Sequence, residues 1–171
     1  MTIIDLVVLM TRAQPRRFVV ASLVAAMGIA GYGCGGDAER YERLIAEGDA
    51  LRAGGQAGPA LERFLLAQKA SPERKDAYIR IGGICESERI PRRGIPVLRE
   101  AVARNDENRA TYRFLLAVLA EIADERFEAE ASYRDCIRLD PSFAPAYGNL
   151  AQFLFTAGRH REALELMAEA T

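Results

Sequence analysis

Side chains with strong intrinsic chemistry are scarce in this chain. It holds three cysteines, Cys34, Cys85 and Cys136, and one histidine, His160. One histidine cannot supply a metal site built from several histidines, and no nucleophile, base and orienting group stand together. No glycine-rich turn joins a strand to a helix with the lysine that a phosphate loop needs. The sequence therefore predicts no enzyme activity, no cofactor and no metal.

Two of the cysteines fall on apolar stripes. Cys85 follows Tyr78 and Ile81 at helical spacing, and Cys136 follows Tyr133 in the same way. Buried free cysteines that behave as small hydrophobic residues are the expected outcome. A disulfide between Cys85 and Cys136 is the alternative if the domain lies outside the cytoplasm. For His160, at a turn, we expect a packing or solvated role.

Small and bulky residues recur at a step of 34 or 35 residues. The recurring sets are Gly48, Ala60, Phe64, Ala67 and Pro72; Gly82, Gly94, Leu98, Ala101 and Asp106; Ala117, Ala129, Tyr133, Cys136 and Pro141; and Ala151, Ala163, Met167 and Ala170. A step of this size is typical of a solenoid of paired helices. Small residues let antiparallel helices approach, and a large ring fills the remaining gap. An ordinary helical bundle with chance alanine spacing is the alternative.

These positions resemble the tetratricopeptide repeat family, most closely in the segments 131–141 and 158–164. The resemblance implies an all-α, right-handed α-solenoid of about four helix-turn-helix repeats over 41–171. The repeats are expected at about 41–74, 75–108, 110–143 and 144–171. The second repeat departs from the family pattern, because Asp106 replaces the usual proline and Pro91 and Pro96 fall where its second helix should begin.

The first 33 residues contain no repeat and have the parts of a secretory signal. Arg12, Arg16 and Arg17 precede a short apolar run that ends in small residues. The run is shorter than the roughly 20 apolar residues of a membrane-spanning helix. We therefore expect a signal peptide or anchor over 1–33, with Met10 as a candidate true start because it gives a positively charged opening.

The string from Gly31 to Cys34 resembles the bacterial lipoprotein box, although Gly31 stands where that box usually has leucine. The resemblance implies that Cys34 is lipidated and begins the mature protein, with 34–40 as a short tether and Asp37 capping a helix near Ala38. Ordinary signal cleavage and an uncleaved anchor are the alternatives. The expected location is the bacterial cell envelope, on a lipid anchor facing away from the cytoplasm.

The charge distribution argues against nucleic acid. The formal net charge is −1, and the arginines are interleaved with acids, so no basic patch is expected. The family resemblance instead implies a partner-binding groove for a protein or peptide, lined by Ile45, Asp49, Arg52, Ile79, Glu86, Phe114, Val118, Gln152 and Phe155. The alternative is that several of these residues only pack. The groove lacks the lysine, asparagine and arginine set with which the family clamps acidic chaperone tails.

Two functions follow as expectations. The first is a membrane-tethered protein–protein interaction scaffold of the bacterial envelope. The second is an accessory docking subunit of an envelope assembly, secretion or pilus complex. Leu164, Leu166 and Met167 span more than one helical face. We therefore also expect some open apolar surface on the last helix and self-association through it.

Overall fold

The computed structural model describes residues 35–104 and 107–169. The predicted signal over 1–33, the candidate start Met10, Cys34 and Asp106 lie outside the described residues. Within those ranges the chain forms eight α-helices and no strand: α1 Gly35–Ala53, α2 Ala57–Ala70, α3 Lys75–Ser87, α4 Pro91–Ala103, α5 Arg109–Ile122, α6 Arg126–Leu139, α7 Ala144–Thr156 and α8 His160–Glu169. None of the eight combines the length and the apolar character that a membrane span requires.

The helices form four consecutive pairs, which confirms the predicted α-solenoid. From α2 to α8 each helix packs on the next one in the chain, and α3 also packs on α5. Contacts between first helices of successive pairs are what stack repeats into a solenoid. Several prolines lie at helix ends, whereas Pro96 lies inside α4. Pro91 opens α4, where its missing N–H costs no hydrogen bond, and Pro72 and Pro141 follow the ends of α2 and α6.

Helix α1 begins earlier than the sequence indicated. Residues 35–40, which were expected to belong to a tether, are helical. Asp37 lies in the first turn of this helix instead of preceding it. A carboxylate there is stabilised by the positive end of the helix dipole. Helix α1 therefore includes positions 35–40 of the expected tether.

The small residues of the repeat occupy points of close helix approach. A Cβ atom at Gly48 would lie 2.3 Å from Cε1 of Phe64. At Gly94 it would lie 2.5 Å from Cδ1 of Leu119 and 3.1 Å from Sγ of Cys85. At 2.3 and 2.5 Å the neighbouring side chain would have to shift, so these positions disfavour even a methyl group. The recurring small residues therefore mark the positions where neighbouring helices contact each other.

The turn inside each helix pair has the same backbone form. A residue with positive φ ends the first helix: Gly55 at 73°, Arg89 at 53°, Asp124 at 59° and Gly158 at 78°. In the second pair, for example, the Ile90 N–H donates to the Cys85 carbonyl at 2.9 Å and the Arg89 N–H to the Glu86 carbonyl at 3.1 Å. These two hydrogen bonds satisfy carbonyl groups at the end of the first helix. All four turns therefore share one geometry, although only two have glycine.

Large side chains join successive repeats. Phe64 and Tyr133 are fully buried, as the repeat predicts. The Tyr41 hydroxyl accepts a hydrogen bond from the Ala77 N–H at 3.1 Å, which ties α1 to the start of α3. The rings of Tyr78 and Tyr112 lie 4.7 Å apart between α3 and α5. These contacts set the stacking of the first helices and hence the surface that they present.

Candidate binding surface on the first helices

The nine predicted groove residues all lie on the first helices α1, α3, α5 and α7, whose shared face we call the groove surface. They differ in exposure: Arg52, Ile79, Glu86, Gln152 and Phe155 are exposed, Asp49, Phe114 and Val118 are half-buried, and Ile45 is buried. Only 8% of Ile45 is accessible, and it belongs to the core cluster around Phe64. Ile45 is therefore a packing residue, which was one of the two alternatives.

One ion pair joins α1 to α3 on the groove surface. Nε and Nη2 of Arg80 donate to the two carboxylate oxygens of Asp49, each at 2.8 Å. These hydrogen bonds lower the pKa of Asp49 against the opposing effect of burial, and they raise the pKa of Arg80. A bidentate pair restricts the orientation of both groups. Asp49 therefore aligns two repeats and has its oxygens already engaged.

The two aromatic groove residues have different roles. The Phe114 ring lies 5.1 Å from the ring of Phe143 and 6.2 Å from that of Tyr133, so it packs against α6 and the residue that precedes α7. Phe155 is 57% exposed, and its ring lies 4.4 Å from the His160 imidazole. His160 therefore has a packing contact, in line with its expected role. Phe155 is the aromatic residue that a partner can reach.

Three predicted residues from three repeats meet at one cavity. Glu86 of α3, Val118 of α5 and Gln152 of α7 line a space of about 430 Å³. The remaining lining residues are Arg89, Glu121, Ile122, Tyr133 and Asn149. Its volume falls in the range of about 300–1,000 Å³ that is usual for ligand pockets. The cavity has an apolar wall, two carboxylates and two side-chain amides.

Tyr133 organises the polar side of this cavity. Its hydroxyl donates to Oε2 of Glu121 at 3.0 Å and accepts from Nδ2 of Asn149 at 3.5 Å. Burial, followed by the charge of Glu121, raises the pKa of Tyr133 far above its ordinary value. The hydroxyl therefore keeps its proton at neutral pH and remains a donor. It holds a carboxylate from α5 and an amide from α7 beside each other.

The two described cysteines are buried free thiols. Burial raises the pKa of Cys85 to about 11 and that of Cys136 to about 12. A thiol with so high a pKa is a poor nucleophile, because the reactive form is the thiolate. Both residues therefore pack as small apolar groups, and the alternative of a disulfide between them is not realised. In the described part of the chain, no three metal-ligating side chains cluster.

Sequence reasoning missed several cavity residues, including Arg89 and Asn149. A signal for Arg89 existed, because it stands 34 residues after Gly55 and 35 before Asp124, at the same turn position. Asn149 had no such signal. Its place beside the cavity depends on the contact between α7 and the Tyr133 hydroxyl, which links two helices.

Four stacked helix pairs with small residues at their contacts define an α-solenoid of the tetratricopeptide repeat type. The fold is similar to that of MamA. A structure of MamA residues 41 to the end from Desulfovibrio magneticus RS-1 is 22% identical, with a TM-score of 0.64, over 76% of this chain and 73% of that one. A second MamA crystal structure is 24% identical, with a TM-score of 0.60, over 72% of this chain and 71% of that one. At such identities the likeness establishes the fold alone. No family model and no curated protein matches the sequence.

Proposed function

We propose that this protein is an interaction scaffold of the bacterial cell envelope that holds a protein or peptide segment on its groove surface. The observation that carries this proposal is the open cavity of about 430 Å³ lined from three repeats. Solenoids use such extended surfaces to bind partner chains. Exposed Ile79 and Phe155 add apolar area on the same helices.

Photo-crosslinking tests the groove. A photoreactive residue replaces Ile79 or Gln152, which are exposed on the groove surface, or Lys69 or Arg138, which are exposed on second helices. The two groove positions should give a crosslinked product of the same mass, and the two controls should give none. Equal crosslinking from all four positions would contradict a groove-bound partner.

A lipid anchor at Cys34 is the second part of the proposal. It is supported by the signal-like residues before Cys34 and by the lipoprotein-like string that ends there. Since α1 begins at Gly35, such a lipid would hold the repeats close to the bilayer. The wild-type protein and a Cys136→Ala control should take up a labelled fatty acid, whereas Cys34→Ser should not and should leave the membrane fraction. A wild-type protein without label would refute the anchor and leave the groove proposal standing.

The second candidate function is an accessory docking subunit of an envelope assembly, secretion or pilus complex. It is favoured by α8, where Leu164 is 73% and Met167 48% exposed, while Ala163 and Leu166 are buried. A partner would then bind the face of the last helix and not the cavity. Leu164→Glu with Met167→Glu should release the partner in this case, whereas substitutions in the cavity should not.

A further inference from the structure

The cavity on the groove surface carries two carboxylates that lack a cation. Glu86 of α3 and Glu121 of α5 both line it. Among the described residues neither forms an ion pair, and the Tyr133 hydroxyl is the partner of Glu121. The charge of Glu86 also contributes to the raised pKa of Tyr133, in accord with its position beside the same hydroxyl.

This lack of pairing contrasts with other acids on the same molecule. Arg80 pairs with Asp49 at 2.8 Å. Other carboxylates are paired with arginine in the same way, including Glu62 with Arg93, Glu128 with Arg99 and Glu130 with Arg159. In each of these ion pairs the cation is an arginine. Glu86 and Glu121 form no such ion pair within the described chain, although both line the same cavity.

Arg89 is the cation among the lining residues, and it does not neutralise these acids. It forms no ion pair with Glu86 or Glu121 within the described chain, and it also lines a second cavity of about 450 Å³ with Ile122. One guanidinium against two carboxylates leaves the cavity net negative. An anionic ligand would meet two acids of its own sign, whereas a cation would meet charge of the opposite sign.

We propose that the cavity binds the cationic side chain of an arginine in the partner segment; this inference rests on the proposed groove function. A guanidinium has five N–H donors in one plane and accepts none, which suits carboxylates and amide oxygens around one space. Glu86 and Glu121 accept these hydrogen bonds, together with the side-chain oxygens of Asn149 and Gln152. Val118 and Ile122 pack against the aliphatic stem, as apolar surface does with long charged side chains.

Short peptides test the proposal on the full chain in detergent micelles. The probes are capped alanine pentapeptides with a central Arg, Lys, Gln or Glu, and the readout is the NMR shift of the Asn149 and Gln152 side-chain amides. The arginine peptide should bind about tenfold more tightly than the glutamine peptide, the factor expected from one charge-assisted hydrogen bond or more. The lysine peptide should fall between them. Equal binding of the arginine and glutamine peptides, or tightest binding of the glutamate peptide, would overturn the proposal.

A matched pair of double variants distinguishes binding inside the cavity from attraction by the net charge of the protein. Glu86→Gln with Glu121→Gln should reduce arginine-peptide binding to the level of the glutamine peptide. Glu39→Gln with Glu100→Gln removes the same charge from exposed positions outside the cavity and should leave binding unchanged. If both pairs weaken binding equally, the attraction is only long-range and the proposed site is wrong.

The crosslink at Ile79, which lies outside the cavity lining, distinguishes this inference from the proposed function. If the natural partner still crosslinks in the Glu86→Gln, Glu121→Gln variant with unchanged affinity, the cationic ligand is refuted and the groove function stands. If the wild type gives no crosslink at all, the groove function itself fails. Circular dichroism of each variant checks the fold, which should persist because glutamine at 121 can still accept from Tyr133.

Discussion

Replacing Arg89 by glycine should make the protein more stable. Arg89 has a φ of 53° in the turn between α3 and α4, at the position that Gly55 and Gly158 occupy in the first and last pairs. A residue with a Cβ is destabilised by about 1–2 kcal/mol in this left-handed backbone region. Glycine loses about 0.5–1 kcal/mol more backbone entropy on folding. The net gain is therefore about 0.5–1 kcal/mol, or about 1–4 °C in Tm for a protein of this size.

Urea and thermal unfolding of the full chain, followed by circular dichroism, measure this gain. Arg89→Ala is the matched control, because it removes the guanidinium but keeps the Cβ, and it should give no comparable increase. Asp124→Gly should stabilise less than Arg89→Gly, since aspartate enters the left-handed region at lower cost. If Arg89→Gly is no more stable than Arg89→Ala, the backbone at this turn is not strained and the reasoning is refuted.

Three further predictions concern the core, the pH dependence and the last helix. Phe64→Ala should lower the unfolding free energy by about 3–5 kcal/mol, because the ring is fully buried. Leu66→Ala, at a more exposed residue of the same helix, is the control. Equal losses from the two variants would mean that Phe64 does not bridge the stacked pairs. Since Arg80 lowers the pKa of Asp49 in the folded state, the unfolded chain binds more protons in acid, and stability should fall as the pH drops below about 4. Asp49→Asn should be less stable at neutral pH and should lose less on acidification, and an unchanged pH profile would show that the pair contributes nothing. Leu164→Glu with Met167→Glu should reduce any self-association measured by sedimentation. Phe127→Glu, at another exposed apolar residue, should not reduce it. A wild-type protein that sediments as a monomer would exclude self-association through α8.

The sequence by itself determined the class of fold, because close packing restricts residue size at fixed points of every repeat. Gly48 and Gly94 stand where a Cβ would meet a neighbouring side chain at 2.3 and 2.5 Å. Phe64 and Tyr133 fill the space that such small residues leave. Those requirements recur at each helix pair, so they appear as a repeat that can be read without coordinates. Prolines after α2 and α6 mark the boundaries for an equally local reason.

Only the tertiary structure decided which groove residues are available to a partner. Ile45 and Asp49 share a helix face with Arg52, yet Ile45 is buried in the core and Asp49 is held by Arg80, 31 residues away in the chain. The cavity likewise combines Glu86, Tyr133 and Gln152 from different repeats. Side-chain pairing between repeats depends on how the helices stack and on the rotamers that this stacking permits. A repeat pattern specifies which face of a helix points inward, and it carries no information about which charges on neighbouring helices meet.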